Sequence, residues 1–515
     1  MGISRRSVLG AGATALGASL LSFPANAAKP QKLKKRPKNI IFCVVDGMAT
    51  QTMAMADQFQ RIHLGHPSYW ATLLGQDDVT TGWQITSSLN SLVTDSSAGS
   101  SSWGSGRHIW NGQTNEFPDG TKLRTINSLM REAGVRTGLV TTTTMTHATP
   151  SGFAINIWNR DLEAKIAELY LDADIDVLLG GGNRYFDGSK RSDKRDMYAA
   201  FKAKGYDIAR SKAELEASKG KKVLGIFSES HTPFSVDRIA DSSLNAVTPS
   251  LADCVGAALE RLKGSPKGFL LQIEAGKVDH GGHANDLAAL LYDQMAGEEA
   301  FRVAIEFARQ DKDTLVVITA DHATGGPSLN GAGAEYIDST AGLQTLAGMK
   351  ASYEVIRKAL GTGFDSTKVK DVTNEWLGIE LTSEEANAVV DASKNASPFK
   401  VSDFLKSWNG TYATVLGNHS KVLWTSQNHT SEHVMVTAVG PGSEWFRGLT
   451  TNIEMFDFLI GTKGLKWSNP TMDFETARRH YATLEERHKA DKEETFAMHD
   501  HDGYHSDGCL EEIFG

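Results

Sequence analysis

Apolar residues in this chain gather into short unbroken runs, and several of these runs end on acidic or imidazole side chains. Residues 40–45 lead to Asp46, residues 268–273 to Glu274, and residues 314–320 to Asp321 and His322. Asp279 and His283 stand just past the second run, and His429 stands just before a further run over 433–439. Runs of four to eight apolar, β-branched residues predict strands buried on both faces of a parallel sheet. The same pattern predicts strands over 136–142, 175–179 and 222–227. Helical spacing of apolar positions predicts helices over 162–170, 249–262, 284–309 and 452–460. Strand-like and helix-like segments alternate from Ile40 to about Gly461, with no internal repeat. Length alone suggests about three domains, but this alternation predicts one large α/β domain: a doubly wound, mostly parallel sheet flanked by helices. In such a sheet the ligand crevice lies outside the carboxyl ends of the strands. The carboxylates and imidazoles are therefore expected at one rim.

Two segments depart from the alternation. From about residue 330 to 421 an insert of roughly 90 residues carries helical patterns over 343–360 and 383–393, with a loop over 361–366; that is too long for a bare loop. Beyond about residue 466 the chain turns charged. A helical pattern over 474–494 is followed by His499-Asp500-His501-Asp502-Gly503-Tyr504-His505. That ending reads as a polar terminus, with metal binding as the alternative.

The first residues form an address. Arg5 and Arg6 precede an apolar stretch to Phe23 and the small-residue site Ala25-Asn26-Ala27. The stretch is too short for a membrane span, and the paired arginines suit export by the Tat route. The expected organisation is a signal peptide at 1–27, the α/β domain at 28–466 and the charged tail at 467–515. The expected location is periplasmic or extracellular, with no stable membrane span after processing. Losing the leader's two arginines takes the net charge from −9 to −11. An acidic exported chain argues against a nucleic-acid partner. Only three cysteines occur, Cys43, Cys254 and Cys509, too few and too scattered for a disulfide framework.

Chemistry enters with the spacing of the polar residues. Asp279 and His283, at i and i+4, share one face if their segment is helical. With His429 as a third ligand they make an open zinc site of two nitrogens and one carboxylate. The loop Val93-Thr94-Asp95-Ser96-Ser97-Ala98-Gly99-Ser100-Ser101-Ser102 offers a serine at a helix start, where backbone N–H groups favour an anion. A serine hydroxyl needs a base or a metal to become a nucleophile, and composition does not choose among the five serines.

The ordered set of segments resembles the alkaline phosphatase family. Asp95-Ser96, the small residues to Ser102, Gly106 and Asn111-Gly112 follow that family's nucleophile signature without a gap, although Ser97 stands where the family usually has alanine. Residues 40–47 resemble its opening strand with the bridging Asp46. Residues 146–152 with Arg160, residues 272–283, residues 319–322 and residues 426–430 complete the match, which covers about 38–335 and 422–462. The resemblance implies Ser96 as nucleophile and Arg160 as the clamp on phosphate. It implies one zinc on Asp279, His283 and His429, and a second on Asp46, Asp321 and His322. Magnesium would fall to Asp46, Thr149 and Glu274. Hard oxygen ligands for magnesium and imidazoles for zinc agree with ligand chemistry. His147 and His280 fall where family members vary between histidine and other residues, which implies a role beside the metals in metal preference.

The implied reaction is hydrolysis of small phosphate monoesters by in-line attack through a phosphoserine, releasing phosphate. A phosphodiesterase of the same superfamily and an exported zinc- or phosphate-binding protein are the alternatives. The family's usual dimer implies a homodimer.

Overall fold

The computed structural model describes residues 33–394 and 408–484. The leader at 1–27, Cys509 and the His/Asp-rich ending lie outside the described residues. The strands in chain order are β1 (Asn39–Val45), β2 (Val79–Ile85), β3 (Arg136–Thr144), β4 (Val177–Gly181), β5 (Asp207–Ala209), β6 (Val223–Ile226), β7 (Phe269–Ala275) and β8 (Thr314–Thr319). They continue with β9 (Ala323–Thr324), β10 (Ser328–Leu329), β11 (Val422–Leu423), β12 (His429–Thr430), β13 (Val434–Val439) and β14 (Gly448–Thr451). Ten of these form one sheet in the order β14-β2-β13-β8-β1-β7-β3-β4-β6-β5. It is the doubly wound, mostly parallel sheet that the apolar runs predict. Only β13 is reversed, pairing antiparallel with both β2 and β8.

That reversal explains an irregularity in the sequence. Asp46 and Asp321 follow their strands, whereas His429 precedes its own. Because β13 runs backwards, its amino end lies at the carboxyl ends of its neighbours, so His429 reaches the same rim. Register aligns the rest: Val44 of β1 sits opposite Glu274 of β7 and Thr319 of β8. Glu274 itself is the next-to-last residue of β7 and does not follow it.

Alternate residues of β1 feed the two faces of the sheet. Ile41, Cys43 and Val45 join one apolar core and Ile40, Phe42 and Val44 the other. Both Cys43 and Cys254 are buried and unbridged. The insert packs into the first core through Leu343, Tyr353, Ile356, Trp408 and Tyr412. The antiparallel pairing of β10 with β11 closes its neck.

Several boundaries differ from expectation. The helix expected over 284–309 runs Leu287–Asp311 with Asp286 as its cap, and a separate short helix, Lys277–Ala284, precedes it and ends where Asn285 takes φ 53°. The helix expected over 343–360 is broken into Asp338–Gln344, the 3-10 turn Thr345–Gly348, and Tyr353–Leu360. The loop expected over 361–366 opens directly into a helix, Ser366–Leu377. β2, β5 and β14 went unpredicted because β2 alternates buried with half-exposed positions, while the other two are edge strands of three and four residues. Within the described residues the terminal helix spans Phe474–Tyr481.

Helix Ser96–Ser105 packs closely on helix Ala148–Ala154. A Cβ added at Gly104 would lie 1.9 Å from the Gly152 carbonyl oxygen, and one at Gly152 would lie 2.5 Å from Ser100 Oγ. Gly104→Ala should therefore force the two backbones apart and destabilise the fold by about 1–3 kcal/mol. A thermal melt matching the wild type would show that the helices yield without cost.

Candidate active site

Three groups of side chains converge at the carboxyl rim, and within each the ligand-type atoms lie within 4.8 Å of one another. They are Asp279 with His322 and His429, Asp46 with Asp321 and His322, and Asp46 with His147 and Glu274. His283 belongs beside the first. Its Nε2 lies 3.0 Å from His429 Nε2 and 3.3 Å from Asp279 Oδ2. In the second, His322 Nε2 lies 3.2 Å from Asp321 Oδ2 and 3.6 Å from Asp46 Oδ1. Beside the third, Thr149 Oγ1 donates to Asp46 Oδ2 at 3.1 Å. Asp46 thus faces two groups with its two oxygens. Gly47, at φ 69°, follows it at a point where a Cβ would fall 2.5 Å from Asp279 Oδ1, so the approach of Asp279 requires glycine there.

The imidazoles are held by their other ring nitrogens. His283 Nδ1 lies 2.6 Å from the Gln427 carbonyl and His429 Nδ1 lies 2.8 Å from the Thr94 carbonyl. A carbonyl only accepts, so both Nδ1 atoms carry the hydrogen and both Nε2 lone pairs point inward. His322 Nδ1 meets Thr324 Oγ1 at 3.3 Å, while that hydroxyl donates to Asp279 Oδ1. The antiparallel pairing of Thr324 with His429 links these two segments. Fixing ligand tautomers from behind in this way is a recurring feature of metal sites.

The serines separate by their partners. Asp95 is the N-cap of helix Ser96–Ser105, and its Oδ1 accepts from Ala98 N. Ser97 Oγ donates to Asp95 Oδ2 at 2.7 Å, whereas Ser96 Oγ sits 3.1 Å from His322 Nε2 and 3.4 Å from Asp46 Oδ1. Ser96 therefore faces the ligand groups and Ser97 turns away from them. Arg160 Nη1 lies 3.4 Å from Asp95 Oδ2, and its Nη2 lies 3.1 Å from His147 Nε2. The guanidinium is buried, between the serine's cap and the third ligand group.

The electrostatics test whether cations belong here. Asp46, Glu274, Asp279 and Asp321 are all fully or almost fully buried. Burial, then the charges of Asp321, Asp279 and Glu274, push the Asp46 carboxyl well above the ordinary range. Burial and Asp279 push Asp321 up to about 7. Burial opposes ionisation of Asp279, but His283, His429 and His322 outweigh it and hold that carboxyl well below its usual range. Burial takes His429 down to about 4 and, with His429 itself, holds His322 well below an ordinary imidazole. Asp321 Oδ2 and Glu274 Oε1 have no hydrogen-bond partner among the described residues. Buried carboxylates left unpaired cost several kcal/mol each. Divalent cations satisfy both the orphaned oxygens and the inward lone pairs, so the residues fit metal ions.

All ten residues singled out from the sequence lie at this rim. Sequence reasoning missed the residues behind them: Thr324, the carbonyls of Thr94 and Gln427, and Thr141 and Thr143, whose hydroxyls donate to Glu274 Oε2. It also missed His231, whose ring lies 4.4 Å from that of His280 and 5.8 Å from that of His147. Burial, His280 and Lys277 hold His231 well below an ordinary imidazole. Only Thr324 carried a readable signal, standing two residues past His322.

Comparison with known proteins gives one consistent result. A family model described as alkaline phosphatase matches residues 37–464. Alkaline phosphatase 4 of Bacillus subtilis is 32% identical over 466 residues, covering 89% of this chain and 95% of that protein. Alkaline phosphatase 3 of the same organism is 30% identical, covering 85% and 92%. The crystal structure of Thermus thermophilus alkaline phosphatase superposes with TM-score 0.83 at 36% identity, covering 88% of this chain and 97% of that one.

Removing metal should expose the cost of the carboxylates. In chelated protein the folded pKa of Asp321, about 7, lies above its ordinary 3.8. A raised acid gives its full stability below the unfolded value and loses it as pH rises through the folded one. Between about pH 4 and 6.5 the depressed imidazoles of His429 and His322 gain stability as pH rises and offset this loss. The melting temperature of chelated protein should therefore fall from about pH 6.5 to pH 8 relative to metal-loaded protein. Parallel pH profiles for the two forms would contradict this.

Proposed function

The chain belongs to the alkaline phosphatase family and is a metal-dependent phosphomonoesterase, and we propose that Ser96 is its nucleophile and Arg160 its clamp on the phosphoryl group. The observation that carries this is the separation of the two neighbouring hydroxyls: Ser97 is committed to Asp95, while Ser96 Oγ faces Asp46 and His322. Asp279, His283 and His429 would hold one zinc, Asp46, Asp321 and His322 a second, and Asp46, Thr149 and Glu274 a magnesium. When bound, such ions neutralise phosphoryl oxygens and lower the pKa of oxygen nucleophiles.

The chain's own groups then divide the work. A monoester dianion repels anionic nucleophiles, so catalysis must position the attack in line and balance charge on the non-bridging oxygens. Ser96 Oγ gives up its proton on the side of Asp46 Oδ1, out to solvent, and forms the new bond to phosphorus as the ester oxygen leaves with its electron pair and takes a proton from water to depart as the alcohol. Ser96 is the first residue of helix Ser96–Ser105, and the positive end of the helix dipole there favours negative charge. The Arg160 fork takes two non-bridging oxygens, a geometry lysine does not reproduce. Its own orientation is fixed by Asp95 and His147. Water then attacks the phosphoserine from the side the alcohol left, and two in-line steps retain configuration at phosphorus.

The reading extends to an exported enzyme carried by the Tat leader at 1–27, acting on small monoesters as a homodimer. Among the described residues no helix is long and apolar enough to cross a membrane.

Ser96→Ala should abolish nearly all turnover of a nitrophenyl monoester while Ser97→Ala keeps most of it. Acid trapping of the phosphoenzyme should place the label on Ser96, and a label on Ser97 would overturn the assignment. Elemental analysis of protein loaded with both metals should find about two zinc and one magnesium per chain. His429→Ala should lose zinc first, because an open three-ligand site tolerates no missing ligand. One metal per chain would mean that a ligand group is misassigned.

A further inference from the structure

The matched family region ends at residue 464, yet the described chain continues to Leu484 and packs around the nucleophile helix. Asn469 is buried, and its Nδ2 donates to the Ser105 carbonyl at 2.7 Å, at the last residue of helix Ser96–Ser105. Arg107, just past that helix, donates to Ser468 Oγ at 2.7 Å and to the Pro470 carbonyl at 3.0 Å. The helix Phe474–Tyr481 then places Ala477 in a small apolar cluster with Ala98 of the nucleophile helix and with Ile109. Phe474 and Tyr481 both stack on Trp110, with ring centres at 5.9 and 4.6 Å and interplanar angles of 2° and 20°.

Trp110 leads straight into the residues that hold the phosphate clamp. The next residue, Asn111, accepts from Asp95 N through its Oδ1 at 3.2 Å and donates to the Val93 carbonyl at 3.1 Å. Gly112 N donates to Asp95 Oδ2 at 2.8 Å, and the Gly112 carbonyl accepts from Arg160 N at 2.9 Å. Both members of the Asp95–Arg160 pair are thus tied to the two residues after Trp110.

We propose that residues 465–484 form a strap that positions the phosphate clamp, with Tyr481 and Trp110 as positioning residues acting through Asn111 and Gly112. The proposal rests on the assignment of Arg160 as the clamp. Small displacements of binding groups cost large factors in rate and affinity, and stacking on a flat indole holds such a loop without a covalent tie.

The test uses full-length, metal-loaded enzyme and inorganic phosphate as the probe of the clamp. Tyr481→Ala should raise KM for a nitrophenyl monoester and weaken phosphate inhibition by on the order of three- to tenfold, with a smaller change in kcat. Tyr481→Phe keeps the stacked ring and should behave as wild type. If Tyr481→Ala does not fold, Tyr481→Leu, which keeps bulk without a flat face, replaces it in the same measurement. A lowered melting temperature with unchanged phosphate inhibition would reduce the strap to packing and overturn the proposal. Arg160→Ala, measured in parallel, separates the two ideas. If it weakens phosphate inhibition and the Tyr481 variants do not, the strap fails alone. If it leaves inhibition unchanged, the clamp assignment fails and takes the strap with it.

Discussion

Four carboxylates buried at one rim of the sheet are the constraint on which the rest of the structure turns. Asp46, Glu274, Asp279 and Asp321 cannot all be charged in a dry site without cations: burial and the charge of Asp321 oppose ionisation of Asp46, and burial and the charge of Asp279 oppose that of Asp321. A fold selected only for stability would place apolar residues here. The chain instead supports the cluster from behind, with Thr141 and Thr143 on Glu274, Gly47 N on Asp321 and Thr324 on Asp279. Each of these donors leaves an inward oxygen for a cation. The same logic fixes the imidazoles: the outer nitrogens of His283 and His429 are spent on carbonyls and that of His322 on the Thr324 hydroxyl.

The geometry of the sheet makes this concentration possible. Parallel strands bring their carboxyl ends to one side: Val44 pairs with both Glu274 and Thr319, so Glu274 stands at that level and Asp46 and Asp321 each lie two residues past it. The single reversed strand adds His429 without another crossover. Asp279 and His283 arrive on one face of the short helix Lys277–Ala284, which Asn285 ends in a left-handed conformation. A helix continuing through this point would have merged the segment that carries Asp279 and His283 with the long helix Leu287–Asp311.

This division explains what was legible in the sequence. Ligand-type residues next to strand-forming runs could be read directly, because strand patterning is local and the rim location follows from topology. Asp46, Asp321, His322 and His429 belong to that class. The choice between Ser96 and Ser97 was carried by family resemblance, since their difference lies in contacts with residues as distant in sequence as His322. His231 was illegible because it follows β6 in a loop without pattern, and only the sheet order brings it near His147 and His280. β5 and β14 are too short to establish a period, and the terminal helix shows its purpose only in its contact with Trp110.

The insert obeys the same constraint from outside the site. Asp237 accepts both the backbone N–H and the hydroxyl of Ser352, at 2.7 Å each, and Asp286 accepts from Tyr353 N. Lys277, buried at the start of the helix that carries Asp279 and His283, reaches Glu354 at 3.1 Å and lies over the Phe234 ring. Three consecutive residues of the insert thus contact Lys277 and Asp286 of the helix pair beneath the first ligand group, and Asp237 of the neighbouring helix Ser235–Ala240. Burial takes Asp237 to about 6 and Asp286 to about 7, so these carboxyls hold their donors at the edge of ionisation. Without the insert, Asp237 would lose both Ser352 donors, Asp286 would keep its helix-cap bond from Ala289 N, and Lys277 would lose Glu354. The insert therefore supports the segment that carries Asp279 and His283, through contacts from residues 352–354 to Asp237, Asp286 and Lys277.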